Sequence, residues 1–108
     1  MDIGEIWWVE FPYEEEGSTE SSIRPCIIMN VDENLEVLSI KVTKHQPRDD
    51  YDIPIFKWQE ANLKLPSYAR VSKSLIFKQD SFLKKIGDMN DSDFKNIINA
   101  FIRFHSNT

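Results

Sequence analysis

Apolar and polar positions alternate in short extended segments along most of the chain, and only the last stretch carries a helical period. Residues 5–11, Glu5-Ile6-Trp7-Trp8-Val9-Glu10-Phe11, are rich in strand formers and stop at Pro12. Trp7, Val9 and Phe11 alternate with Ile6 and Trp8, so both faces of this first strand are apolar. That suits a strand inside a small barrel or one covered by a partner subunit. Residues 24–31 predict a second strand with Ile27, Met29 and Val31 on one face, and Asp32-Glu33-Asn34 a polar turn. Residues 35–45 predict a third, with Leu38, Ile40 and Val42 on its core side and Ser39, Lys41, Thr43 and His45 on its polar side.

A fourth strand over 51–56 contains Pro54, which places it at an edge or a bulge. Residues 57–63 read as two helical turns before Pro66. In 68–77, Ala69, Val71, Leu75 and Phe77 face inward, and Tyr68, Arg70, Ser72 and Ser74 outward. Phe94, Ile97, Ile98, Phe101 and Ile102 follow i, i+3, i+4, i+7, i+8, an apolar helical stripe that Asn90 or Asp91 can cap. Five short strands, a short helix and a C-terminal amphipathic helix predict a mainly β fold, a small antiparallel barrel with the last helix packed on it.

The segment between the first two strands interrupts this regularity. Residues 13–23, YEEEGSTESSI, bury too little apolar surface to order themselves and read as a mobile loop, a candidate lid.

At 108 residues the chain fits one domain, 1–108. No apolar run approaches the ~20 residues of a membrane span, and the start, Met1-Asp2-Ile3-Gly4-Glu5, lacks the pattern of a signal peptide, so a cytoplasmic protein is expected. The single cysteine, Cys26, lies among Pro25, Ile27, Ile28 and Met29 and reads as an inert buried thiol. His45 and His105 lie 60 positions apart without a metal-binding spacing. Neither a metal nor a cofactor is expected.

Net charge is −5, which by itself argues against a nucleic-acid partner, but the distribution changes that picture. Residues 1–36 hold ten acidic side chains and one basic; residues 41–78 hold eight basic and four acidic. A phosphate chain would lie on this basic middle.

In order, GEIWWVEFPY, RPCIIM, SIKVTKHQPRDDYDIPI, LPSYARVSKSL and KKIGDMNDSDFKNIINAF resemble the PemK/MazF toxins of bacterial type II toxin–antitoxin systems over nearly the whole chain. The resemblance implies a metal-independent, sequence-specific endoribonuclease, an mRNA interferase cutting single-stranded RNA. It also implies an SH3-like barrel with a C-terminal helix, a homodimer, and a cognate antitoxin protein that blocks the site. Arg24, from the RP pair opening the second strand, and Thr43, near the end of the third, match the family's catalytic residues. Thr43 is followed by Lys44 where the family usually has Ser. The later Arg and Asp of some members fall on Arg70 and Ser72, so the carboxylate is absent here. Arg70, Ser72, Ser67 and Lys44 are candidates for contacting the substrate.

The chemistry fits those residue types. An arginine stays charged and can hydrogen-bond two phosphate oxygens at once; a threonine hydroxyl can donate to the same phosphate. An imidazole can exchange a proton near neutral pH in general, which makes His45 a candidate base beside its plainer reading as an exposed strand-end histidine. Two other functions stay open: a catalytically inactive toxin-like module that binds RNA or protein, and a gyrase-directed toxin of related fold.

Overall fold

The computed structural model describes residues 1–11 and 22–106. Its strands are β1 (Glu5–Phe11), β2 (Ser22–Val31), β3 (Glu36–Thr43), β4 (Asp52–Ile55), β5 (Ser67–Lys78) and β6 (Phe82–Asp88), and its helix is α1 (Asp91–Ser106). One 3-10 turn at Gln79–Ser81 joins β5 to β6. The strands pair antiparallel in a single sheet of order β4-β5-β3-β2-β1-β6. Among the described residues this sheet does not close on itself, so the expected barrel is an open sheet with β4 and β6 as its edges. The acidic segment expected as a lid lies outside the described residues, apart from Ser22 and Ile23, which belong to β2.

Both faces of the sheet carry a core. Ile6, Ile27, Ile40, Val42, Ile55, Ala69 and Val71 are buried on the helix side together with Ile97 and Ala100 of α1. Val9, Phe11, Cys26, Ile28, Val37 and Phe82 form a second cluster on the other side. The apolar alternation on both faces of β1 is thus accounted for within this one chain. Trp8 is the exception and stays exposed.

Three expectations change in detail. β6 had no apolar alternation to mark it: of Phe82–Asp88 only Phe82 and Gly87 are buried, and the exposed Lys84 and Lys85 suit an edge strand. A Cβ at Gly87 would run into the Ala61 carbonyl, so glycine is what lets the 56–62 segment pack there. Residues 57–63 are successive turns rather than a short helix. Ala61 N–H reaches Lys57 O, but Asn62 and Leu63 bond to Gln59 and Trp58, and Asn62 adopts φ 63. Finally, the buried line of α1 is Asp93, Ile97 and Ala100, flanked by Phe94, Phe101 and Phe104, so Ile102 is turned 57% to solvent.

The start of α1 is fixed by two side chains. Asn90 Oδ1 accepts the N–H groups of Ser92 (2.9 Å) and Asp93 (3.3 Å), capping the helix. Asp93 is buried and accepts Phe56 N–H at 3.2 Å and Lys57 N–H at 2.7 Å, which pins the end of β4 to the helix.

Glu5, also buried, ties β1 to the N-terminus and to β6. Its Oε1 accepts the Asp2 amide (3.0 Å) and the Trp7 indole N–H (2.9 Å), and its Oε2 lies 3.1 Å from Lys85 Nζ. Burial alone would raise this carboxyl. The bonds from Trp7, Asp2 and Lys85 outweigh it and hold the pKa at about 2, below the usual 4.5. Because the folded value is the lower one, its contribution is complete above pH 4.5 and is lost as pH falls toward 2. Glu5→Gln is expected to cost about 2 kcal/mol at neutral pH, allowing for solvent around Lys85. It should also flatten the stability profile between those pH values. Acid titration followed by circular dichroism measures both; parallel profiles for the two proteins would refute the assignment.

Candidate functional site

The sheet register decides whether Arg24 and Thr43 meet. Across β1 and β2, Val9 faces Arg24 and Trp7 faces Cys26; across β2 and β3, Cys26 faces Lys41. The β2–β3 pairing ends at Cys26 and Lys41, two residues short of Arg24 and Thr43, and the same register continued along both strands would bring those two to opposed positions. Thr43 in turn faces Tyr68 of β5, and Tyr68 faces Pro54 of β4. Residues opposed in this way project from the same face of a sheet. Val9 paired with Arg24, and Thr43, Tyr68 and Pro54 paired in turn, therefore all lie on the face away from α1. The residues between them along their strands, Ile27, Val42 and Ala69 among them, belong to the helix-side core.

A further pair adjoins these, where Arg70 of β5 faces Asp52 of β4. Beyond Arg70 the β3–β5 register shifts. Val42 pairs with Ala69 and Ile40 with Ser74, so residues 70–73 of β5 stand opposite the single residue Lys41. This bulge swaps the faces of β5: Ala69 and Val71 join the helix-side core, whereas Phe77 joins the other cluster. The expected continuous alternation of 68–77 breaks here, and half-buried Ser72 lies within the break.

Arg24 is half-buried and its Nη1 donates to the Ile23 carbonyl at 3.1 Å. Thr43 is more covered than the polar side of a strand implies, at 8% exposed, because its Oγ1 accepts the His45 N–H at 3.2 Å where the chain reverses. With the oxygen already accepting, the hydroxyl proton remains for donation. Lys44 and His45 follow on the exposed reversal. Lys41 lies over the Phe11 ring, 5.7 Å from its centroid.

Ser67 does not join this group. It pairs with Ile55, a member of the helix-side core, and its hydroxyl donates to Leu65 O at 2.7 Å. Its side chain thus lies on the opposite side of the sheet from Arg24 and Thr43. Cys26 is fully buried, and burial, eased by Lys41 and Ser39, pushes its thiol up to about 12, the behaviour of an unreactive core cysteine. Among the described residues no three His, Cys, Asp or Glu side chains converge as a metal-binding group.

Two charged residues of this face escaped the sequence reading. Asp52 is one of three aspartates in Asp49-Asp50-Tyr51-Asp52, and only pairing opposite Arg70 distinguishes it. Arg48 is drawn to it by a 2.8 Å bond from its amide to Asp52 Oδ2 and by an Nε 3.6 Å from the same oxygen. Strand pairing, which brings Arg70 to Asp52, is not visible in the composition of either segment.

Solved structures share this architecture. The Mycobacterium tuberculosis toxin MazF-mt6 superposes with a TM-score of 0.74 at 14% identity, covering 92% of this chain and 93% of its own. An endoribonuclease in complex with its cognate antitoxin, from a mycobacterial species, gives 0.72 at 11% identity over 94% and 90% of the two chains. A further mycobacterial endoribonuclease gives 0.70 at 10% identity over 93% and 86%. At these identities the likeness is one of fold. None of the curated proteins compared matches the sequence. The sequence family of PemK-like, MazF-like toxins of type II toxin–antitoxin systems matches residues 2–105. With the match spanning nearly every residue, and the fold agreeing, the chain belongs to that toxin family.

Proposed function

We propose that the protein is a toxin that acts as an endoribonuclease on single-stranded RNA, with Arg24 and Thr43 as its catalytic residues. What supports this is the register: Arg24 on β2 and Thr43 on β3 project from one face of the sheet, each two residues beyond the paired Cys26 and Lys41. In the reaction a ribose 2′-hydroxyl loses its proton and its oxygen bonds to the adjacent phosphorus. The bond to the 5′-oxygen then breaks, and that oxygen takes up a proton. The extra negative charge on the phosphorane oxygens is the quantity to be stabilised. Arg24 supplies a fixed positive charge and paired N–H donors; Thr43 supplies one O–H donor. Arg70 contacts the substrate beyond them, with Ser72 and Lys44 at the margin. These groups bring their own charge and donors to the phosphate, and the activity is read as metal-independent.

The family supports the remaining parts of the reading: a cytoplasmic homodimer, acting as one functional unit of 108 residues, held in check by a cognate antitoxin protein. A solved relative of like fold is described as bound to its cognate antitoxin. Among the described residues no helix is long and apolar enough to cross a membrane. The test is induced expression in a bacterial host followed by 5′-end mapping of RNA. New ends recurring at one short sequence, absent with Arg24→Ala, are expected. A catalytically inactive binding module would give no new ends with either protein.

A further inference from the structure

We propose that Arg48, held by the buried Asp52 carboxylate, forms with Arg70 on the facing strand a second phosphate-binding subsite beside Arg24 and Thr43, with Asp52 as the positioning residue of Arg48. This rests on the reading of this face as the RNA site. The Asp52 side chain is wholly covered. A buried carboxylate is costly unless charges or donors compensate it. Its Oδ2 is held by Arg48, through the 2.8 Å amide bond and the 3.6 Å approach of Nε. Its Oδ1 has no protein partner among the described residues, and neither has the buried Nε of Arg70, the residue directly opposite. An acceptor and a donor of opposite charge thus stand on one cross-strand pair without bonding each other.

The outer ends of both arginines stay open. No hydrogen bond from either guanidinium to another side chain or carbonyl occurs among the described residues, and the Arg48 side chain is 48% exposed. Two guanidinium groups and one carboxylate leave a single net positive charge, which matches one phosphodiester. Planar forks can each grip two of its oxygens. From Arg24 on β2 to Asp52 on β4, which holds Arg48, is three strand spacings across the sheet, about 14 Å. That is longer than one phosphate group, so Arg48 takes a neighbouring phosphate of the bound strand and not the one being cut.

The experiment uses the full chain and a single-stranded RNA carrying one 2′-deoxyribose at the mapped cut position, with affinity measured by fluorescence anisotropy over a salt series. Arg48→Ala is expected to weaken binding several-fold and to reduce the slope of log affinity against log salt by ~0.7, one phosphate contact on a single strand. Asp52→Asn removes a negative charge, which in simple electrostatics would tighten binding; a positioning role makes it bind several-fold more weakly. On cleavable RNA the loss should fall on KM more than on kcat. If Asp52→Asn fails to fold, Arg48→Ala decides alone. Tighter binding by folded Asp52→Asn, or wild-type affinity and slope for Arg48→Ala, overturns the subsite while RNA cleavage by the wild type leaves the nuclease reading standing. A wild-type protein that neither binds nor cuts RNA overturns both.

Discussion

Arg24→Ala is expected to lower the rate of RNA cleavage by ~10² or more, the loss that follows removal of one well-placed donor to developing charge. The effect should appear in kcat, because the charge that Arg24 answers exists fully only in the phosphorane. Arg24 is half-buried at the start of β2, outside both apolar clusters, so the fold should survive its truncation. Arg24→Lys should recover only a small part of the rate, since an ammonium keeps the charge but not the paired, planar donors. Single-turnover cleavage of a defined RNA, with thermal unfolding as a control, checks both variants. Undiminished cleavage by a folded Arg24→Ala protein would remove Arg24 from the mechanism.

The largest loss of stability is expected at a residue remote from that chemistry. Asp93→Ala leaves the Phe56 and Lys57 amides without their acceptors and unfastens the end of β4 from α1. Each unsatisfied, partly buried donor costs ~1–3 kcal/mol, so a total of about 3 kcal/mol is expected. For a domain of this size that corresponds to a fall in Tm of roughly 15 °C. Asp93→Asn keeps one acceptor oxygen and should fall between the two. Thermal unfolding of the three proteins decides it; an alanine variant melting with the wild type would show that the turn after β4 is held by its apolar contacts alone.

These two residues differ in how far the sequence discloses them. Asp93 is legible as an acidic residue in the first turn of a helix, but its two long-range bonds to Phe56 and Lys57 are not, because nothing local marks a partner 36 or 37 positions away. The strands with clear alternation, β1 to β3, are readable from their residues alone. β6 is not: as an edge strand with paired lysines it buries too little to leave a period. β5 misleads further along, since a four-residue bulge opposite Lys41 reverses which side chains face which core.

The site follows the same division. Arg24 and Thr43 can be picked out by resemblance, and their shared face follows from strand pairing. The coverage of Thr43 and the separation of Ser67 from the other candidates depend on the chain reversal at 43–45 and on β4–β5 pairing. The same pairing selects Asp52 from among three aspartates. A basic middle in an acidic chain becomes a local property too: Arg24, Arg70 and Lys41 sit on facing or adjoining strand positions, and Arg48 is bound to the edge strand beside them.

The central claim is that this face cuts RNA through the ribose's own 2′-hydroxyl, with Arg24 and Thr43 stabilising the phosphate. The direct measurement is incubation of purified protein with a single-stranded RNA and with its twin bearing one deoxyribose at the mapped cut position. Cleavage of the first and complete survival of the second at that position is the result expected. Equal cleavage of both, or no cleavage of the RNA by folded protein, would contradict it.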